Sequence, residues 1–122
     1  MLPIKGVYEI AIRVKDLARA ESFYKDVLGL KEGLRDEGRK WLFLYAGGDA
    51  GMVVLQEDKG EWPKQHFAFS VGEADINRAA SILKEKGVSV SEPVHDQWMN
   101  AFSVYFADPD GHDLELIALA GS

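Results

Sequence analysis

The sequence predicts an α+β fold of two βαβββ modules, residues 7–57 and 64–119, forming one cleft-bearing mixed-sheet domain over 1–122. Three observations predict it. Two runs of alternating apolar residues each lead into a capped helical pattern that stops at a glycine. Strand-like runs divided by glycine turns follow each helix. A polar stretch, EDKGEWPK at 57–64, separates the two series near mid-chain. One module would leave an apolar sheet face uncovered, so the two are expected to pair.

In the first module Val7 to Val14 alternates, with Tyr8, Ile10, Ile12 and Val14 opposite Val7, Glu9, Ala11 and Arg13. Asp16 suits an N-cap, and Leu17, Ala20, Tyr24, Val27 and Leu28 recur at helical spacing before Gly29. Strands are expected at about 31–36, at Trp41 to Tyr45 and at Met52 to Gln56, with a turn at Gly47-Gly48-Asp49. In the second module Gln65 to Val71 alternates, with Phe67, Phe69 and Val71 opposite His66, Ala68 and Ser70. Asp75 is expected to cap a helix carrying Ile76, Ala79, Ile82 and Leu83 and ending at Gly87. Strands follow near 88–92, 102–106 and 113–119. The last two are joined by Asp108-Pro109-Asp110-Gly111, where Pro109 presets φ and Gly111 accepts a positive one. Glu9 and His66 take equivalent places, and matching Gly51 to Gly111 makes Leu55 the counterpart of Glu115.

Composition removes several function classes. The 122 residues contain no cysteine, which excludes disulfides, thiolate metal sites, iron–sulfur clusters and cysteine nucleophiles. A net charge of −6 argues against a nucleic-acid partner, because phosphate contacts need a cationic footprint. No apolar run reaches the ~20 residues of a membrane span, so no membrane partner is expected. The N-terminal residues show no secretory leader, and a cytoplasmic location is the expectation.

Alternation places Glu9, His66 and Glu115 on the faces turned away from the helices. If the sheets face each other, one imidazole and two carboxylates converge. Two carboxylates balance a divalent cation and a neutral imidazole adds a borderline-soft ligand, a set suited to Mn, Fe, Co, Ni or Zn. The same parity turns Arg13, Trp41, Phe43, Tyr45, Ser103 and Tyr105 toward the cleft, which Leu55 and Trp98 are also expected to line. His95 is expected in an exposed loop and His112 at the surface or behind the site. Aromatic walls beside carboxylates would also suit a planar or cationic organic ligand without any metal.

The run EIAIRVKDLARAESFYKDVLGL (Glu9 to Leu30), with Phe23, Tyr24, Leu28 and Gly29 as an FYxxxLG core, resembles the first motif of the vicinal oxygen chelate superfamily. That is the glyoxalase/bleomycin resistance/dioxygenase family. HFAFSV (His66 to Val71) resembles the opening of its second module, and YFADPDGHDLELIAL (Tyr105 to Leu119) its DPxGxxxEL signature. The resemblance spans about residues 7–119 and implies metal positions at Glu9, His66 and Glu115, with Glu9 and Glu115 as the catalytic carboxylates. Glu9 departs from the usual His or Gln. Glyoxalase I-like members carry a fourth, Glu ligand where this reading puts Leu55, so the resemblance does not imply a standard lactoylglutathione lyase. It implies a divalent-metal-dependent enzyme, of lyase, isomerase or transferase chemistry, on a small substrate with vicinal oxygens. Thiol transferases that inactivate fosfomycin match the ligand count but use two histidines. Homodimers, some with swapped modules, are common in the family. The alternative is a non-catalytic protein that sequesters a cationic or aromatic compound, as bleomycin-resistance members do.

Overall fold

The computed structural model describes residues 1–48 and 51–122, which divide into two compact units, Met1–Pro63 and Lys64–Ser122. Each unit holds one four-stranded sheet. Of the expected turn at Gly47-Gly48-Asp49, Asp49 lies outside the described residues.

The first unit contains β1 (Glu9–Val14), α1 (Leu17–Ser22), β2 (Lys31–Asp36), β3 (Trp41–Tyr45) and β4 (Met52–Glu57), in the sheet order β1-β4-β3-β2. β1 runs parallel to β4, and the other pairs are antiparallel. The register sets Ile12, Leu55 and Leu42 in one row and Ile10, Val53 and Leu44 in the next. These rows face α1, which adds Ala20 to the core. Each fully buried aliphatic here contributes roughly 1.5–3 kcal/mol.

Asp16 caps α1 as expected, its Oδ1 accepting the Arg19 N–H at 3.2 Å. A second carboxylate reaches the same helix end, where Glu57 Oε2 accepts the Leu17 N–H at 3.0 Å. That bond holds the Glu57 carboxyl below its ordinary value, with Lys40 and Lys59 adding to the effect. The helix then differs from the expected single α-helix. Residues Phe23–Val27 form a wider π-turn, and the Leu28 N–H donates to Phe23 O at 3.1 Å. Adjacent α-helical side chains diverge by about 100°; the wide turn lets neighbouring Phe23 and Tyr24 both point inward, ring edge to ring face at 5.3 Å. Gly29, at φ +78°, ends the element. Arg35 ties it to β2, its guanidinium reaching Glu21 at 2.6 Å and Glu32 at 2.8 Å, with Lys25 bridging the same two carboxylates.

The polar stretch at 57–63 is strapped to the end of β1. The Asp58 N–H donates to Val14 O at 2.8 Å, and Asp58 Oδ1 accepts the Gly60 N–H at 2.8 Å. Trp62 Nε1–H donates to Asp58 O at 3.0 Å. The Lys15 ammonium lies 4.8 Å from the Trp62 ring centre and donates to Gly60 O.

The second unit contains β5 (His66–Ser70), α2 (Ile76–Glu85), β6 (Val94–Asp96), β7 (Ala101–Ala107) and β8 (Asp113–Leu119), in the order β5-β8-β7-β6. Again the first and last strands are parallel. Ile76, Ala80 and Leu83 are the buried residues of α2, which packs on the side of β7 and β8 carrying Val104, Phe106, Leu114 and Leu116. Asp75 does not cap α2 through its side chain, because a 3₁₀ turn at Glu73–Asp75 precedes the helix and Gly72 takes the outer position. No strand forms at 88–92. The Val88 N–H is taken by Leu83 O at the helix end, and only Ser91 pairs with β7. Its N–H donates to Tyr105 O at 3.0 Å, while its Oγ, in place of a carbonyl, accepts the Tyr105 N–H at 2.9 Å. The edge strand begins after Pro93 instead.

Candidate metal-binding site

Strand alternation gives each sheet a second face, away from its helix. In the second unit this face carries His66, Ala68 and Ser70 on β5, Asp113, Glu115 and Ile117 on β8, and Ser103 and Tyr105 on β7. His66 and Glu115 meet there. His66 Nε2 stands 3.3 Å from Glu115 Oε1. The other ring nitrogen, Nδ1, lies 3.2 Å from the backbone oxygen of Asp113. A carbonyl only accepts, so Nδ1 carries a proton, and Nε2 faces the carboxylate. Two electron-rich atoms at that distance call for a proton or a cation between them.

Glu115 is nearly buried, with its side chain 11% exposed against 56% for His66. Its second oxygen is satisfied, because Ser103 Oγ–H donates to Glu115 Oε2 at 2.7 Å. One carboxylate oxygen is braced and the other is presented beside an imidazole nitrogen. That donor set fits a divalent cation of the Mn-to-Zn series. Within neither unit, among the described residues, do three His, Cys, Asp or Glu side chains gather around one point. In the second unit two candidate donors, His66 and Glu115, stand together.

The turn before β8 is more built than its sequence suggests. Asp108 Oδ1 accepts the N–H groups of Asp110 at 3.0 Å and His112 at 2.9 Å. His112, expected at the surface or behind the site, is completely buried. Its Nδ1 accepts the N–H of Gln65, the residue before His66, at 2.9 Å. Sequence reasoning missed this role. The available signal was a histidine set between a turn glycine and a strand, at a place where the first repeat has no residue.

On the first unit the equivalent face carries Glu9, Ala11 and Arg13 on β1, Met52, Val54 and Gln56 on β4, and Trp41, Phe43 and Tyr45 on β3. Glu9 is exposed at the first position of β1, the place His66 holds on β5. Arg13 pairs with Asp58 at 3.6 Å. The Arg39 guanidinium lies 5.3 Å from the Trp41 ring centre. The Tyr45 ring lies so close over Gly33 that a Cβ there would come within 2.8 Å of it.

Leu55 corrects the expectation. It pairs with Ile12 and Leu42, faces the helix and is completely buried, so it lines no cleft and holds no ligand position. By register the counterpart of Glu115 is Val54, since Ala68 pairs with Glu115 as Ala11 pairs with Val54. The slip arises because β4 begins immediately after Gly51, whereas His112 intervenes between Gly111 and β8. Trp98 stands in the turn between β6 and β7, 84% exposed and on no strand face. His95, expected in a loop, lies on β6 opposite Phe102, on the helix side.

The chain belongs to the Glyoxalase/Bleomycin resistance protein/Dioxygenase superfamily, whose family model matches residues 6–116. Within it, the chain is similar to the metallothiol transferase FosB of Staphylococcus epidermidis, 31% identical over 119 residues, covering 93% of this chain and 83% of FosB. Among solved structures it is similar to the integron cassette protein HFX_CASS4, from the mobile metagenome of the Halifax Harbour sewage outfall. That match has 51% identity, a TM-score of 0.91 and coverage of 95% and 100% of the two chains. The fosfomycin resistance protein FosX of Mesorhizobium loti matches at 26% identity and a TM-score of 0.71, covering 94% of this chain and 92% of that one. Among the described residues no helix is long and apolar enough to cross a membrane.

Proposed function

We propose that the protein is a divalent-metal-dependent transferase that joins a thiol to a small, oxygen-rich electrophile of the fosfomycin kind. The observation that carries this is the braced pair His66 and Glu115, a ring nitrogen and a carboxyl oxygen presented 3.3 Å apart. The likeness to FosB supports a metal and a thiol, and the likeness to FosX supports the substrate class.

His66 and Glu115 would hold the cation, with Glu9 as third ligand, from the same chain or from a second copy in a homodimer. A divalent ion of this series, when bound, supplies Lewis acidity toward neighbouring substrate oxygens. The chain's own residues do the rest. Asp113 O keeps a proton on His66 Nδ1, and Ser103 fixes the Glu115 carboxyl in place. Tyr105, in register with Glu115 and half-exposed, offers a hydroxyl to a substrate oxygen. Sulfur–carbon bond formation breaks a carbon–oxygen bond, and the thiol proton ends on the released oxygen.

No carboxylate occupies the position of Val54, which argues against lactoylglutathione lyase chemistry that needs a fourth acidic ligand. The test is incubation with Mn²⁺, fosfomycin and a panel of thiols including glutathione, following adduct formation by mass spectrometry. Adduct that forms with metal and disappears in His66→Ala supports the reading. Metal-independent ligand binding without turnover would instead favour a sequestering protein that uses the aromatic face of Trp41, Phe43 and Tyr45.

A further inference from the structure

We propose that His112 is a positioning residue that sets the height of His66 along β5 relative to Glu115. The inference rests on the metal-binding reading above. Three hydrogen bonds zip the two strand starts together. The Gln65 N–H donates to His112 Nδ1 at 2.9 Å, the Asp113 N–H donates to Gln65 O at 2.9 Å, and His66 Nδ1–H donates to Asp113 O at 3.2 Å. The ladder between β5 and β8 begins only at His66 and Asp113, so the Gln65 N–H precedes the first rung and has His112 as its partner.

The backbone that carries the imidazole is held as well. Asp108 accepts the His112 N–H, and the Asp108 N–H donates to His112 O at 3.1 Å. A backbone N–H cannot accept, so His112 Nδ1 is the acceptor and an apolar ring of equal size would leave Gln65 unmatched. At the equivalent place in the first unit the strand starts are joined by backbone bonds, the N–H groups of Gly51 and Met52 both donating to Tyr8 O. The side-chain clamp therefore occurs at the strand start that carries the imidazole ligand. Partners standing behind metal ligands typically alter metal affinity by about 10–100-fold when removed.

The probe is Co²⁺, titrated by its visible absorption into the metal-free, full-length protein. His112→Phe, which keeps the ring and removes the acceptor, is expected to bind about tenfold more weakly than wild type. His112→Asn, whose Oδ1 replaces Nδ1, is expected to recover affinity to within about twofold of wild type. Leu83→Ala, a buried change on α2, should lower stability and leave Co²⁺ affinity unchanged. Wild-type affinity in His112→Phe overturns the proposal, as does equal weakening in His112→Asn. Should His112→Phe fail to fold, amide exchange of the wild type decides. Coupling is reciprocal, so Zn²⁺ must slow exchange of the Gln65 N–H more than that of Leu83; equal slowing overturns the clamp. A wild-type chain that binds neither ion defeats the metal reading itself, an outcome distinct from tight binding that His112→Phe leaves untouched.

Discussion

The free faces of the two sheets differ more than the sheets do. Both units run parallel first and last strands with an antiparallel pair beyond, and both pack a short helix on the other side. On the second sheet Glu115, in the row Ala68, Glu115 and Tyr105, accepts a hydrogen bond from Ser103 and stands 3.3 Å from His66. On the first, the corresponding row is Ala11, Val54 and Phe43, with Trp41 and Tyr45 beside it and Glu9 as an exposed carboxylate. Repetition has kept the scaffold and let the chemistry diverge. One copy braces its imidazole and carboxylate from inside its own sheet, while the other offers a single acid at the end of an aromatic surface.

The comparison breaks most sharply on the ligands. Glu115→Ala and His66→Ala should reduce Mn²⁺ or Co²⁺ affinity by more than the ~100-fold upper range for outer partners. Glu9→Ala, which removes an unbraced carboxylate, should cost less. Mixing Glu9→Ala chains with His66→Ala chains sharpens the point, with metal bound per chain as the readout. If the site is shared between two copies, the mixture regains a fraction of sites that neither variant shows alone. If it lies within one chain, nothing is regained.

A second contrast sets Leu55 against Val54. Leu55→Ala opens a cavity under α1 and should cost about 2–5 kcal/mol in chemical denaturation while leaving metal affinity unchanged. Val54→Ala changes the free face and should cost less stability, because it removes fewer atoms. A shift in metal affinity on Leu55→Ala would show that the helix-side assignment is wrong.

The smallest effect belongs to the ion network of the first unit. Arg35, then Lys25, holds the Glu32 carboxyl down to about 2, and Arg35 holds Glu21 below its ordinary value. A depressed carboxyl contributes stability above its unfolded pKa, here about 4.5, and loses it as pH falls toward the folded value. Arg35→Met should therefore lower Tm near neutral pH by no more than about 5 °C, since the groups are largely solvated. The difference from wild type should close between about pH 4.5 and 2. A difference that persists at pH 2 would assign the loss to packing of the Arg35 stem.

Much of this was readable from residues alone, for a physical reason. Alternation has a period of two, so one correct parity fixes a whole strand, and His66, Glu115, Ser103 and Tyr105 fell on one face by that rule. The same rule made Leu55 fail, because aligning the repeats on Gly51 and Gly111 overlooked His112 and a one-residue slip reverses every side chain. Ser103 as a brace and His112 as a clamp were not readable, since each acts across strands on a partner that only the fold brings near. The clamped turn and the strand at 94–96 depend likewise on which backbone groups remain unmatched after longer elements have formed.

The wide turn at Phe23–Val27 has a consequence for how such a chain tolerates change in length. A π-turn is one residue more than an α-turn carrying the same rise toward the next element. Deleting Lys25 would restore ordinary helical winding, but Phe23 and Tyr24 would then no longer both reach the interior. The extra residue works as a shim, taken up within the turn so that the sheet beyond Gly29 keeps its alignment.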